Sequence, residues 1–208
     1  MVEAAAAPGP APEVAELGPL PVAAKGRHSV GWWGMLTLIA TEASLFAYLL
    51  FAFGYSALQG GPDFSPEPRP NLMLALPNTA VLLASSATAA WGEQGVMRGR
   101  RGQHLLGLAA TLALGAVFLV VQLFEWKAKR FGPTDGTYGS FYFTITGFHM
   151  AHVAVGLLVL TTVFAWSLAG LFNPRRHESV SNAVIYWHFV DAVWLAVFSA
   201  FYIAPYFL

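Results

Sequence analysis

The chain is organised around residues 186–194, which read YWHFVDAVW. This stretch lies inside an apolar run, residues 180–208, in which Asp191 carries the only formal charge. His188 precedes Asp191 by three residues, so a helix places the imidazole and the carboxylate on one face. Polar groups deep in an apolar helix are costly unless they are paired or face protein. Two interpretations stay open for this pair: a structural hydrogen bond between helices, or a proton or metal site.

The composition is that of an integral membrane protein. Of 208 residues, 56% are hydrophobic and 11% are charged, whereas a soluble domain carries roughly 25% charged residues. The mean hydropathy is +0.56. A net charge of zero provides no basic surface for a nucleic acid partner. The absence of cysteine excludes disulfides, cysteine-ligated zinc and iron–sulfur clusters.

Five apolar runs predict five transmembrane helices, since each is near or above the roughly 20 residues that a spanning helix needs. They are residues 32–58, 72–91, 105–126, 138–171 and 181–207. The runs are continuous rather than alternating with period two, which favours helices over a β-sheet. The predicted fold is therefore an all-α, five-helix membrane domain over residues 28–208. Residues 1–27, rich in Ala and Pro, predict a disordered tail.

The basic residues predict an inner N-terminus and an outer C-terminus. With this orientation, seven of the 11 Lys and Arg residues lie in the inner segments and four in the outer segments. An excess of Lys and Arg is typical of inner loops. The inner residues are Lys25, Arg27, Arg98, Arg100, Arg101, Arg175 and Arg176; the outer ones are Arg69, Lys127, Lys129 and Arg130.

Five polar side chains are predicted near the middle of the membrane, counting 1.5 Å of rise per helical residue. They are Glu42, His149, His152, His188 and Asp191. Each would be expensive alone, so we expect them to converge into one buried cluster.

The short connection between the last two helices predicts that those helices are neighbours. We therefore expect Asp191 to accept a hydrogen bond from an imidazole or another buried donor and to fix their packing. Glu125 stands beside Trp126 and Lys127, which favours a solvated position at the membrane interface.

The histidines raise the question of a metal site. His149 and His152 share a helix face, but a di-iron carboxylate bundle would need more acidic residues at depth. Six histidines permit haem ligation in principle, although nothing in their spacing demands it. No catalytic residue, metal ligand or cofactor-binding residue is predicted in this chain.

Several motifs in order make residues 34–202 resemble subunit III of haem–copper terminal oxidases, in its five-helix form. They are Glu42, LPNTAVLLAS at 76–85, QLFE at 122–125, YGS at 138–140, TGFHMAH at 146–152 and YWHFVDAVW at 186–194. The chain departs from the family in the first outer loop, where FSPEP at 64–68 replaces a tryptophan–diproline segment.

This resemblance implies a non-catalytic accessory subunit of a respiratory oxidase that couples oxygen reduction to proton pumping. It implies packing on subunit I, together with subunit II and other subunits of the complex, and support of proton uptake and turnover stability. Haem and copper are expected in the partner subunits, and bound phospholipid is expected on this chain. The complex is expected in a bacterial plasma membrane. Glu42 matches a family carboxylate that reacts with carbodiimides.

Other functions remain open at this stage. A quinol oxidase subunit and an accessory protein of nitric oxide reductase would share the same motifs, because other subunits determine where electrons enter. An independent proton or ion transporter could use Glu42 and the buried His and Asp residues. Transporters often show internal repeats, and this chain has none that we detect.

Overall fold

The structure is a computed structural model that describes residues 29–64 and 72–206. Its five long helices are α1 Val30–Gly60, α2 Leu72–Met97, α3 Arg101–Ala128, α4 Gly136–Leu168 and α5 Glu178–Phe198. A short 3-10 turn, Gly61–Phe64, follows α1, while a π-helical turn, Ser199–Ile203, and a 3-10 turn, Ala204–Tyr206, continue α5. The predicted tail, residues 1–27, and most of the first outer loop lie outside the described residues.

All five helices are long and apolar enough to cross a membrane. No strand occurs within residues 29–64 and 72–206. The predicted all-α, five-helix membrane fold is therefore confirmed, while the orientation of the termini stays a prediction.

The connection between α2 and α3 is shorter than the predicted linker of residues 92–104. Only residues 98–100 lie outside the two helices. The Gln103 amide donates to the carbonyl of Trp91 at 2.8 Å, so polar residues at the start of α3 are satisfied by α2. Gly99 has φ +69°, a left-handed conformation that glycine adopts without steric cost and that lets the chain reverse direction.

The helix α5 lies at the centre of the bundle and α1 at its edge. In the most apolar 18-residue stretch of α5 and its continuation, 56% of the residues are buried inside the protein, against 11% in the corresponding stretch of α1. α5 contacts α1, α2 and α4, and the most extensive contact between two helices is that of α2 with α3. The predicted neighbourhood of α4 and α5 is confirmed, and α5 is positioned to bring its polar side chains against several helices.

One end of the bundle, which we call the arginine end, gathers the α2–α3 and α4–α5 turns. Arg101 donates from Nη2 to the carbonyl of Leu168 at 2.9 Å, and His104 Nε2 lies 2.8 Å from Ser167 Oγ. These contacts join the start of α3 to the end of α4. The arginine end carries Arg98, Arg100, Arg101, Arg175 and Arg176, the described residues that the basic-residue count assigns to the inner side.

Candidate functional site

The carboxylate of Asp191 is buried, with 3% of the residue exposed. It accepts a hydrogen bond through Oδ2 from the Ser86 hydroxyl of α2. His188 Nδ1 lies 2.7 Å from the same hydroxyl. Ser86 thus bridges the imidazole and the carboxylate that share a face of α5. Asp191 therefore has a hydrogen-bond donor, although Ser86 is half-buried rather than buried.

The hydrogen-bond donor to Asp191 comes from a different helix than we expected. Asp191 joins α5 to α2 rather than to α4, because Ser86 faces α5 and the α4 imidazoles point elsewhere. Two further bonds strengthen the same contact: Trp187 Nε1 donates to Ser85 Oγ and Trp194 Nε1 donates to Thr79 Oγ1, both at 2.9 Å. Hydroxyl groups along one side of α2 therefore form hydrogen bonds with polar side chains of α5 over several helical turns.

A second polar pair joins α1 to α4. His152 Nε2 lies 2.9 Å from Glu42 Oε2, and His152 Nδ1 lies 2.6 Å from the carbonyl of Phe148. Because a carbonyl only accepts, Nδ1 is the protonated nitrogen. The Nε2 contact therefore requires one more proton, on either the imidazole or the carboxyl group. Glu42 and His152 also line a groove of about 270 Å³ with Met35, Leu38, Val155 and Tyr186.

His149 occupies an aromatic environment at the centre of the bundle. It is fully buried, and its ring lies 4.9 Å from that of Trp194, 6.0 Å from Phe118 and 6.5 Å from Phe46. Neither ring nitrogen has a hydrogen-bond partner among the described residues. His149 thus packs α4 against α1, α3 and α5 through its ring.

The expectation of one polar cluster is therefore wrong. The five mid-membrane residues divide into the Glu42–His152 pair, the His188–Asp191 pair with Ser86, and His149 among aromatic rings. Sharing a depth did not bring them together, because the three groups face different neighbours: α1 faces α4 at the first pair, α5 faces α2 at the second, and His149 points into the aromatic core. Within residues 29–64 and 72–206, no three His, Asp or Glu side chains are grouped so that they could hold a metal ion.

Glu125 is buried, with 5% of the residue exposed, so the expectation that its side chain is solvated at the membrane interface is wrong. Its Oε1 accepts from Tyr202 Oη at 2.5 Å and from Lys129 Nζ at 2.9 Å. The ammonium group lies 4.9 Å and 5.3 Å from the ring centroids of Tyr142 and Tyr202. The carboxylate is near the end of α3, as its position in the sequence requires, but α4 and the continuation of α5 cover it.

Several polar residues of these contacts were not singled out from the sequence. Thr79 and Ser86 are seven residues apart, a spacing that places both on one face of α2 and could have indicated a polar contact. Tyr202 carried no such signal, because the π-helical turn Ser199–Ile203 changes the direction in which it projects. What the described polar groups do together is join helices in pairs.

We expect Asp191→Ala to lower the thermal stability of the protein without changing the haem spectrum of any complex that contains it. The substitution leaves the Ser86 hydroxyl without its acceptor, at a cost of roughly 1–3 kcal/mol. Thermal unfolding of the wild-type and variant complexes measures the change. His149→Ala serves as the comparison for a ligand role: loss of bound metal or of a spectral band at normal subunit abundance would contradict a packing role for the ring.

We expect a hydrophobic carbodiimide to label Glu42 and to spare Glu125. The Glu42 side chain is 27% exposed beside a groove at the surface of the bundle, whereas Glu125 is enclosed by Tyr202 and Lys129. Peptide mass spectrometry after labelling of membranes measures the modification at each site. Preferential modification of Glu125 would show that the groove does not admit the reagent.

Comparison with known proteins shows which family this chain resembles. The model of the family described as cytochrome c oxidase subunit III matches residues 25–206. Among curated proteins, the chain is 37% identical over 177 residues to cytochrome c oxidase subunit 3 of Loxodonta africana, covering 82% of this chain and 68% of that protein. The subunit 3 of Locusta migratoria is 36% identical and that of Gallus gallus 34%, each over 82% of this chain and over 67% and 68% of the relative.

The matched span contains all five helices and each of the polar contacts described above. The family model matches nearly the whole chain, and these relatives are all described as cytochrome c oxidase subunit 3. Both comparisons therefore indicate the same family. The chain is a multi-pass membrane protein that belongs to the cytochrome c oxidase subunit III family, the family of a non-catalytic subunit of haem–copper oxidases.

Proposed function

We propose that this chain packs on the haem-bearing subunit I of a respiratory terminal oxidase, alongside subunit II and the other subunits of the complex. The family match over residues 25–206 is the observation that carries the proposal. Oxygen reduction takes place in the partners, which hold the haem and copper. This chain contributes stability to the assembly and supports proton uptake by subunit I. Whether cytochrome c or a quinol delivers the electrons is decided in the other subunits.

The bridged helices support a stabilising role. Ser86 with Asp191 joins α2 to α5, His152 with Glu42 joins α4 to α1, and Tyr202 with Glu125 joins α5 to α3. Interhelical hydrogen bonds and close packing drive helix association in a bilayer, where apolar burial between helices adds little. A bundle tied in this way presents a rigid surface to a partner subunit and to the phospholipid around it.

The proposed membrane is the plasma membrane of a bacterium, with the arginine end on the inner side. Five arginines at this end support the orientation, since an excess of Lys and Arg is typical of the inner side. A reporter fused after Ile203 would be expected to lie outside, and one inserted at Gly99 inside.

Purification of the tagged full chain in a mild detergent tests the proposal. We expect a haem-bearing subunit to co-elute at about one copy per chain, as in a closed heteromeric complex. The absorption spectrum of the eluate gives the haem, and quantitative mass spectrometry gives the subunit ratio. A stable, colourless protein that transports protons or ions by itself would contradict the proposal and favour the transporter interpretation.

A further inference from the structure

The first and last residues of the QLFE motif at 122–125 lie inside the bundle. Gln122 is fully buried, and Glu125 follows it by three residues, so the two side chains share a face of α3. Neither polar atom of the Gln122 amide has a hydrogen-bond partner among the described residues, and neither does Oε2 of Glu125. Because buried polar groups are nearly always hydrogen-bonded, these three enclosed atoms indicate a further ligand.

Two tyrosines next to this pair have no hydrogen left for its free oxygens. Tyr202 donates its hydroxyl hydrogen to Oε1 of Glu125 at 2.5 Å. The Tyr202 oxygen lies 3.0 Å from the Tyr142 oxygen. Since a hydroxyl group has one hydrogen, Tyr142 must be the donor in that contact. The Tyr142 oxygen is therefore left as an acceptor, and the Gln122 amide lies beside it.

The Gln122 amide cannot satisfy every acceptor around it. Its nitrogen carries two hydrogens, and the Tyr142 oxygen can take one of them. Asn78 of α2 donates to the carbonyl of Phe118, one turn before Gln122, and its own Oδ1 is enclosed without a partner. Even with both amide hydrogens used on these two oxygens, Oε1 of Gln122 and Oε2 of Glu125 stay without a donor. Exchanging the amide oxygen and nitrogen leaves this count unchanged.

A hydrogen on Glu125 itself would provide a direct bond to Gln122, but the neighbours of the carboxyl group favour its ionised form. Lys129 places Nζ 2.9 Å from Oε1, and charged donors of this kind form strong hydrogen bonds with a carboxylate. Tyr202 donates to the same oxygen. An ionised carboxylate only accepts. The donor that both free oxygens need must therefore come from another molecule.

We propose that one water molecule binds between Gln122 and Glu125 and donates its two hydrogens to Oε1 of Gln122 and Oε2 of Glu125. Side chains three residues apart on a helix have Cβ atoms about 5–6 Å from each other, a span that one small molecule bridges. Buried waters typically make about three hydrogen bonds to polar groups that lack other partners. The site goes beyond the proposed function, since it belongs to this chain whatever its partners are.

The water closes a ring of hydrogen bonds across three helical segments. From the water the ring passes through Glu125 of α3, Tyr202 of the π-helical turn and Tyr142 of α4, and it returns through the Gln122 amide. Gln122 is thus a positioning residue, which holds the Glu125 carboxylate through the water. The ring gives the two polar residues of the motif one structural task.

Cryo-electron microscopy of the purified full chain with its co-purifying subunits, in lipid nanodiscs, tests the site directly. We expect a density peak about 2.5–3.0 Å from both Oε1 of Gln122 and Oε2 of Glu125, the usual range for an O–H donor. A map that defines both side chains and shows ordered waters elsewhere, but no peak here, overturns the proposal. A peak surrounded by six or more oxygens at about 2.4 Å would be a metal cation and overturns it as well.

Gln122→Met tests the role of the amide, because methionine keeps the length of the side chain and removes both polar atoms. We expect the peak to disappear while the bond between Tyr202 and Glu125 remains. Gln103→Met is the matched control in the same helix, since Gln103 is exposed and its amide donates to the carbonyl of Trp91. The control should keep the peak. A peak retained in Gln122→Met overturns the assignment, and the map of the wild-type protein decides by itself if this variant does not accumulate.

Infrared spectroscopy separates the water from a direct bond between the two side chains. A protonated carboxyl group has a C=O stretching band that a carboxylate lacks, and Glu125→Gln removes only the contribution of Glu125. We expect the wild-type protein and the variant to have the same carboxylic acid band at neutral pH. Loss of part of that band in the variant would show that Glu125 carries a hydrogen and would overturn the proposal. These measurements do not depend on haem co-elution, which tests the proposed function separately.

Discussion

Replacing Trp187 by alanine is expected to lower the free energy of unfolding by roughly 3–5 kcal/mol, the usual cost of truncating a fully buried tryptophan. The indole is fully buried between two helices that have glycine where they meet it. A methyl group built on Gly115 of α3 would lie 2.7 Å from the ring, and one on Gly156 of α4 would lie 2.9 Å from it. The indole N–H also donates to Ser85 of α2. Alanine would leave a cavity that faces three helices and would remove the indole donor from the Ser85 hydroxyl, which itself donates to the carbonyl of Leu82 at 2.6 Å.

Thermal unfolding of the purified complex and the abundance of this chain in membranes measure the effect of Trp187→Ala. Trp91→Ala is the control, because Trp91 is 46% exposed and its side chain leaves no enclosed cavity when truncated. We expect a small change in the control. A similar loss of stability in both variants would show that the membrane-facing tryptophan matters as much as the buried one.

Replacing Gly107 by alanine is expected to separate α2 from α3 and to prevent normal accumulation of the protein. The added Cβ would lie 2.7 Å from the backbone nitrogen of Gly92 and 2.9 Å from the carbonyl oxygen of Thr88. Backbone atoms cannot move aside by changing rotamer, so the helices themselves must shift. Overpacking of this kind costs about 1–3 kcal/mol or more. The shift would also disturb the hydrogen bond of 2.9 Å between Thr88 and Thr111.

The control for Gly107→Ala lies in the same helix. A methyl group on Gly102 would meet nothing within 4 Å, and alanine favours a helix over glycine by roughly 1 kcal/mol. Gly102→Ala should therefore leave stability unchanged or raise it slightly. Abundance and thermal unfolding of the two variants measure the difference. Equal behaviour of the two variants would contradict the close approach of α2 and α3.

Part of the polar arrangement could be predicted from the sequence. The spacing of His188 and Asp191 correctly placed both on one face of α5, and the cost of a lone carboxylate correctly predicted that Asp191 has a hydrogen-bond donor. The donor itself could not be predicted. Ser86 lies more than 100 residues away in the sequence, and no local pattern relates the rotation of α2 to that of α5.

Glu125 shows a second limit of local reasoning. Its place beside Trp126 and Lys127 near the end of α3 indicated an interfacial depth, and the helix bounds agree with that position. Burial depends on what covers the helix end. Here Tyr202 reaches the carboxylate through a π-helical turn, an irregularity that the apolar run 181–207 does not reveal.

The sequence by itself determined that the chain crosses a membrane with five helices, because the length and apolarity of a run are local properties and a bilayer requires every spanning segment to satisfy its backbone hydrogen bonds within itself. Only the tertiary structure decided which helices the polar residues join. The direction of a side chain depends on the rotation of its helix within the bundle, and that rotation is set by close contacts between distant segments. The glycines that receive Trp187 and the approach of Gly92 to Gly107 are such contacts.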